Sequence, residues 1–579
     1  MSRGPSQASY LEAAGTGFLT ARDRPAGPAG GRAVLIVPPF GWDEVASYRP
    51  RRAWARHLAD AGADVLRIDL PGTGDSAGGP HDADLVDAWT EAVAVAARRL
   101  AAGGGRLTVL GIGLGGLLAW RAIAAGAPAD ELVLWGAPSR GRGYVRELKA
   151  FARLERSKLQ ELNPGRELPA DQPDALTAAG HTLTAPTTEL LGTLDVDALA
   201  LPDRLRVLAL GRDGVGPDDR LLDAARRAGG DVRSDPGHGW AELVAPPQES
   251  ALSAATVAVV DAWLAAGDAP PAREPGTAPL GATELVTPEY RERPLIAGGA
   301  EGVLTEPPGD APPRALLLLL NAGAIRRIGP NRMWVEIARR WAQRGVASLR
   351  LDLPGIGEAD GDDVRDDATF YRPHFEEAAV AALQALPGDR YGAAPVGALG
   401  LCSGAWWSLE LTVHEPRVQA AFALNTRALV WDPAIRTDRD ARKISYLTRA
   451  STYRRVLRGD LPLSRGLEVA RALVARAAAG AAARLKRRGA LTAPQADPVD
   501  ALLDSLRDDG KRTYLLFTGN EPVHDELRRS GRATSADRWP TLRIDAFDDL
   551  GDIHTLHPPT VQREVHRRVD AAIERDLAP

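Results

Sequence analysis

Gly400-Leu-Cys-Ser-Gly404 follows a short apolar run and opens an apolar helical stretch over residues 405–413; Gly111-Ile-Gly-Leu-Gly115 does the same before residues 117–125. A strand that turns into a helix through such a corner needs its glycines, because the turn is strained and a side chain would clash with packed neighbours. About 40–50 residues upstream of each corner lies another shared turn, Asp69-Leu-Pro-Gly-Thr-Gly-Asp75 and Asp352-Leu-Pro-Gly-Ile-Gly-Glu358. Further upstream, each copy has an apolar strand running into a loop. These are Arg32-Ala-Val-Leu-Ile-Val-Pro-Pro-Phe-Gly41 and residues 314–320 leading into Asn321-Ala-Gly-Ala324. Helices are expected between them, over residues 54–61 and 334–344. One arrangement is written twice.

Short apolar strands bounded by Gly and Pro, alternating with helices, predict mostly parallel sheets covered on both faces. Each copy also carries an acidic loop and then a histidine loop after its corner, the order nucleophile, acid, histidine. The expected fold class is therefore α/β, two tandem α/β-hydrolase domains, each a mostly parallel doubly wound sheet with a helical lid insertion. Gly267-Asp-Ala-Pro-Pro-Ala-Arg-Glu-Pro-Gly-Thr-Ala-Pro reads as a semi-rigid linker. The division that follows is residues 1–266, a linker over 267–283, and residues 284–579.

With 579 residues the chain is too long for one ordinary core, and a net charge of −5 gives no global pull toward nucleic acid or acidic membranes. The leading Met-Ser-Arg-Gly-Pro-Ser-Gln has no apolar run behind it, so no signal peptide is expected and a cytoplasmic location is. The apolar stretch 315–320 is too short to span a bilayer. A single cysteine excludes an intrachain disulfide and argues against a cysteine-based metal site. No metal or cofactor is expected, and no nucleic-acid module is visible.

That one cysteine, Cys402, occupies the middle of the second corner. The corner holds it at a helix N-terminus, whose partial positive charge favours thiolate, and a neighbouring imidazole would favour it further. The alternative is a small apolar residue tucked under the helix. Ser403 is one residue late for attack, but its backbone N–H would face an oxyanion, with a second N–H from the loop at Gly323-Ala324. The base is expected at His554, between a strand over residues 541–544 and a C-terminal helix over 559–576; His557, before two prolines, is expected to be exposed. The acid should follow the strand over 513–517. Glu521 is the first choice, Asp525 the reserve, and His524 is expected in a solvated loop. A carboxylate there would fix the imidazole tautomer.

Several segments of the second copy resemble one group of bacterial proteins, the α/β hydrolases associated with exosortase and exopolysaccharide clusters and their relatives beside natural-product genes. They are Asn321-Ala-Gly-Ala-Ile-Arg-Arg-Ile-Gly-Pro-Asn-Arg332, the Gly-Leu-Cys-Ser-Gly-Ala405 corner, Asn425-Thr-Arg-Ala-Leu-Val-Trp431, and the Glu-Pro and Ile-His segments. The resemblance implies a Cys-His-acid triad at Cys402, His554 and Glu521, although an aspartate would be expected where Glu521 stands. It gives chemistry rather than substrate.

In the first copy the equivalent corner position is Gly113, which offers no nucleophile. Asp213 and His238 nonetheless lie where acid and base belong. Residues 34–41 and 141–149 resemble the second hydrolase type of the same exosortase-associated pair. A degenerate site at Gly113, Asp213 and His238 is expected, either a shallow binding pocket or a copy kept for stability. Each copy has a lid insertion. The second, over residues 428–494, is rich in arginine between Arg436 and Arg488. A solvated helical face explains most of that charge, and an anionic partner such as coenzyme A, an acyl-carrier protein or a glycan is the alternative. The activity expected is acyl transfer from an activated ester or thioester through an acyl-Cys402 intermediate. The rival is a non-catalytic scaffold that binds a carrier protein or polymer.

Overall fold

The computed structural model describes residues 6–25, 30–165, 168, 174–267, 279–365, 367–431, 497–519, 521–547, 551, 553, 554 and 556–578. Most of the expected second insertion, including the arginine-rich stretch, lies outside them, as does most of the expected linker.

The first sheet is built from β1 (Gln7–Ala13), β2 (Thr16–Asp23), β3 (Arg32–Val37), β4 (Asp64–Ile68), β5 (Arg106–Ile112) and β6 (Glu131–Trp135). After a separate hairpin, β7 (Ala175–Ala178) and β8 (His181–Thr184), it is completed by β9 (Arg206–Leu210) and β10 (Val232–Asp235). Its order is β1-β2-β4-β3-β5-β6-β9-β10. The second sheet is built from β11 (Leu285–Val286), β12 (Arg291–Ala297), β13 (Ala300–Glu306), β14 (Ala315–Leu319), β15 (Val346–Asp352), β16 (Val396–Leu401), β17 (Val418–Leu424), β18 (Arg512–Thr518) and β19 (Leu542–Phe547). Its order, β11-β12-β13-β15-β14-β16-β17-β18-β19, repeats the first with one extra edge strand. In each sheet the strands are parallel from β4 or β15 onward, and antiparallel strands pair at the N-terminal edge.

Strands buried on both faces explain the unbroken apolar runs. All five residues of β14 are 0 % exposed, with helices on either side. The antiparallel edges were not expected from the sequence, because β1 and β2 alternate polar and apolar residues and lack the signature of a buried strand. The helix expected over residues 54–61 begins earlier and spans Trp42–Asp60, carrying Pro50 inside it. Residues 279–282 do not run free: Ala282 pairs with Tyr10 of β1 through two backbone hydrogen bonds of 2.7 and 2.9 Å.

The two Asp-Leu-Pro-Gly turns meet and exchange charges. Asp75, fully buried, accepts hydrogen bonds from Arg327 Nε and Arg350 Nη2 of the second half, both at 3.0 Å. Glu358, at the matching place in the second turn, accepts from Arg67 Nη1 at 2.5 Å and Arg52 Nε at 3.2 Å in the first half. Arg67 and Arg350 also match, each two residues before the turn's aspartate. Equivalent residues therefore reciprocate, as in a self-complementary two-fold contact. Arg326 adds bonds of 3.0 Å to both Asp69 and Glu44, and its guanidinium lies 3.9 Å from the centre of the Tyr48 ring.

Burial alone would raise these acids. The arginines outweigh it, holding Asp75 and Glu358 well below the usual carboxylate range and Glu292, bound by Arg339 and Arg350, at about 2. No helix among the described residues is long and apolar enough to cross a membrane.

Candidate active site

β16 ends at Leu401 and the helix Ser403–His414 begins two residues later, so the whole reversal falls on Cys402. Its backbone is at φ 60°, ψ −114°, a region that costs a non-glycine residue strain. The flanking glycines make that possible. A Cβ on Gly400 would fall 2.1 Å from Gly404, and one on Gly404 would fall 2.3 Å from the Asn321 carbonyl.

Cys402 and His554 each shift the other's titration, and His554 Nδ1 lies 2.6 Å from Glu521 Oε1. Glu521 follows β18 and precedes the helix Pro522–Arg529, and it is 3 % exposed. Its carboxylate accepts the Nδ1–H, which leaves Nε2 as the basic nitrogen. The reserve acid, Asp525, points to solvent. His524, expected in a solvated loop, is instead buried in that helix and stacks on Phe517 at 5.2 Å, because the helix begins immediately after Glu521. His557, expected to be exposed, is half-buried with its ring 6.2 Å from Trp42 of the first half.

Two residues that sequence reasoning gave no role complete the site. Arg427 donates from Nη2 to His554 Nε2 at 3.2 Å, and its charge acts on the Cys402 thiol. Asn425 clamps the loops together. Its Oδ1 accepts the Thr518 N–H at 2.8 Å, and its Nδ2 donates to Thr518 Oγ1 at 2.8 Å and to the His554 carbonyl at 3.3 Å.

Burial pushes the Cys402 thiol up, but hydrogen bonds and charge from His554 and Arg427 outweigh it and bring it down to about 7. Burial pushes His554 down, and hydrogen bonds to Cys402 and Glu521 raise it to about 9. A guanidinium can only donate, so the Arg427 contact to Nε2 belongs to the neutral imidazole, while the imidazolium turns its Nε2–H to sulfur. Removing Arg427's charge as Arg427→Gln is expected to raise the thiol by roughly one to three pH units. The alkylation rate of Cys402 by iodoacetamide against pH reads this directly, and an unchanged midpoint would rule out Arg427 as a counter-ion to the thiolate.

The oxyanion positions fall where the loops converge. Ser403 opens its helix, so its N–H has no intrahelical acceptor. In the facing loop the Gly323 N–H goes to Ser403 Oγ at 3.0 Å and the Ile325 N–H to the Ala322 carbonyl at 3.2 Å, with Ala324 between them. Asn321 sets the curve of that loop, donating to the Ile325 carbonyl at 3.0 Å and accepting the Leu353 N–H at 2.9 Å.

The first half repeats this backbone without its chemistry. Gly113 has φ 53°, ψ −126°, close to Cys402. However, a Cβ there would meet Trp240 Cη2 at 3.4 Å and Pro39 Cβ at 3.3 Å. The Trp240 ring fills the space above the corner, edge-on to Trp135 at 5.9 Å and covered by the Arg212 guanidinium at 4.5 Å. Asp213 does not hold His238. Its carboxylate accepts the N–H groups of Gly239, Trp240 and Ala241 at 2.7, 2.9 and 2.8 Å, and those bonds, Ala241's foremost, hold it below its ordinary value. His238 is exposed. The structure thus brings Cys402, His554 and Glu521 together and does not bring together Gly113, Asp213 and His238. For the first half a shallow pocket and a copy kept for stability are the two alternatives, and the space directly above Gly113 is taken by the Trp240 indole.

Comparison with protein-family models matches residues 33–155 to the alpha/beta hydrolase fold. The chain has an α/β fold with two mostly parallel sheets, and its residues 33–155 fit an α/β-hydrolase domain. Similar solved structures include an esterase of Pyrococcus furiosus (15% identity, 53% of this chain and 97% of that one, TM-score 0.33). A proline iminopeptidase of Mycobacterium smegmatis is another (17% identity, 45% and 98%, TM-score 0.31). Est1E of Butyrivibrio proteoclasticus with ferulic acid bound is a third (19% identity, 39% and 86%, TM-score 0.29). No curated protein sequence matches the chain.

The first half also reaches the histidine loop of the second. Leu159, in the helix Gly141–Leu162, packs on the apolar cluster that holds Ile553 and Leu556, against which Cys402 also packs. Asn163 lies against Gly551, where a Cβ would fall 2.5 Å from its Oδ1. Glu155 Oε2 is 3.9 Å from His557 Nδ1.

Proposed function

We propose that the second half, residues 284–579, is an acyl-transfer enzyme working through a covalent thioester on Cys402, with residues 1–266 as a non-catalytic companion joined through 267–283. The observation that carries this reading is Cys402 on a strained corner in series with His554, whose Nδ1 lies 2.6 Å from Glu521 Oε1. Cys402 Sγ attacks the carbonyl carbon of an ester or thioester, and the C–S bond forms as the carbonyl π electrons move to oxygen. The N–H groups of Ser403 and Ala324 receive that oxyanion. It collapses with cleavage of the bond to the leaving group, which takes its proton from the His554 imidazolium. The neutral imidazole then removes a proton from a hydroxyl, amine or water, which attacks the thioester and releases Cys402.

A thiolate attacking a thioester is a near-balanced exchange, so an activated donor such as an acyl-coenzyme A or acyl-carrier protein suits this nucleophile. An aromatic group beside the site favours an apolar acyl chain. Tyr371 stacks on Trp431 at 3.9 Å and meets Trp406, one turn along the helix from Cys402, at 5.0 Å.

The test is intact-protein mass measured after incubation with a panel of acyl-N-acetylcysteamine thioesters. One acyl group is expected on the chain and none on Cys402→Ala. No mass gain with any donor, or equal gain on the variant, would remove the covalent mechanism and leave the scaffold reading.

A further inference from the structure

Among the described residues nine arginines are buried, and eight of them touch a carboxylate. Arg332 is the exception. It is 8 % exposed and holds two first-half carbonyls, Gly74 O through Nε at 2.9 Å and Ser76 O through Nη2 at 2.7 Å. Its Nη1 has no acceptor among the described residues. Glu336 and Glu292 act on Arg332 only from beyond contact, and a buried cation without a carboxylate in contact is costly, so a protein that retains one has a use for it. The Arg332 side chain lines a cavity of about 240 Å³ between the two halves.

The rest of the lining has two characters. Phe40, Trp89 and Ile328 form an apolar wall, and His181 and His566 stand on the polar side with Arg332. His566 is 8 % exposed and its Nε2 has no hydrogen-bond partner. Burial and the charge of Arg340 hold it at about 3, so it is neutral at pH 7 and can present an N–H. Two carboxylates also border the space. Glu44 is bonded to Arg51 and Arg326, and Glu336 is 41% exposed with Oε2 4.0 Å from His566 Nδ1. Neither touches Arg332.

We propose that this interdomain cavity binds a small organic oxyanion, a carboxylate or phosphate monoester on a compact apolar body, with Arg332 Nη1 and His566 Nε2 as its donors. The oxyanion supplies the contacting counter-charge that Arg332 lacks, and the apolar body lies on Phe40 and Trp89. The volume, below that of drug-sized pockets, limits the body to about one ring. The site is separate from Cys402 but backs onto its histidine loop. Asn331, in the lining, donates to the Leu556 carbonyl at 3.0 Å, and Gln562 donates to the His557 carbonyl at 2.9 Å.

The experiment is titration calorimetry on the full chain after Cys402 has been alkylated, which closes the catalytic site. Benzoate, phenyl phosphate and inorganic phosphate are the probes. Saturable binding of benzoate or phenyl phosphate is expected, and the tighter of the two identifies the acid group. His566→Leu breaks no existing hydrogen bond of Nε2 and is expected to weaken binding at least tenfold. Arg332→Gln is expected to abolish it. Should Arg332→Gln fail to fold for want of its bonds to Gly74 and Ser76, His566→Leu decides. Binding of inorganic phosphate alone, binding of nothing, or unchanged affinity in His566→Leu would overturn the proposal.

Discussion

Cys402→Ala is expected to lower acyl transfer by a factor on the order of 10⁴ to 10⁶ while leaving the fold and substrate binding intact. The side chain stands on a turn whose geometry is set by Gly400 and Gly404, so alanine fits without strain beyond that already present. His554→Ala should cost about as much, and the double variant little more, because residues that act as a unit are not additive. A variant at Cys402 that keeps a tenth of the activity would end the nucleophile assignment. The pH dependence follows from the two titrations. The thiolate appears as pH rises through about 7 and the imidazolium disappears through about 9, so acylation should plateau between them and fall on both sides.

The second large effect lies far from that chemistry. Asp75→Asn leaves Arg327 and Arg350 buried around a neutral amide and should destabilise the chain by about 3–5 kcal/mol, read as a lower denaturant midpoint. Restoring balance with Arg350→Met in the same chain should recover part of the loss. A single substitution costing under about 1 kcal/mol would mean that the network is solvated rather than buried. The sign against pH is fixed by the depressed acids. Their contribution is present above the ordinary carboxylate range and is lost as pH falls toward the folded-state values, about 2 for Glu292 and lower still for Asp75.

The sequence was most informative where backbone geometry restricts residue choice. The corner at Gly400–Gly404 is legible because two close approaches forbid side chains, Glu521 because it follows the buried strand β18, and His554 because it falls between β19 and the C-terminal helix. Arg427 was not legible. Among 71 lysines and arginines nothing local distinguishes one that meets a thiolate from one that meets water. Arg326, Arg327 and Arg332 were quoted as part of a family likeness, yet their burial depends on a partner surface more than 200 residues away in the chain. In the first half the sequence left a shallow pocket and a copy kept for stability as open alternatives, and nothing local in it shows what fills the space above Gly113. What fills it is Trp240, two residues after His238: a ring that size takes the space that an absent nucleophile leaves.

The reciprocal exchange, Arg67 to Glu358 and Arg350 to Asp75, has the form of a homodimer interface enclosed within one polypeptide. A dimer held by such a contact would come apart on dilution, and its histidine loop would lose the support of Leu159 and Asn163 with it. Covalent tandem linkage makes the association independent of concentration. Specific activity should therefore stay constant from micromolar to picomolar protein, and each chain should contain one reactive thiol whatever its oligomeric surroundings.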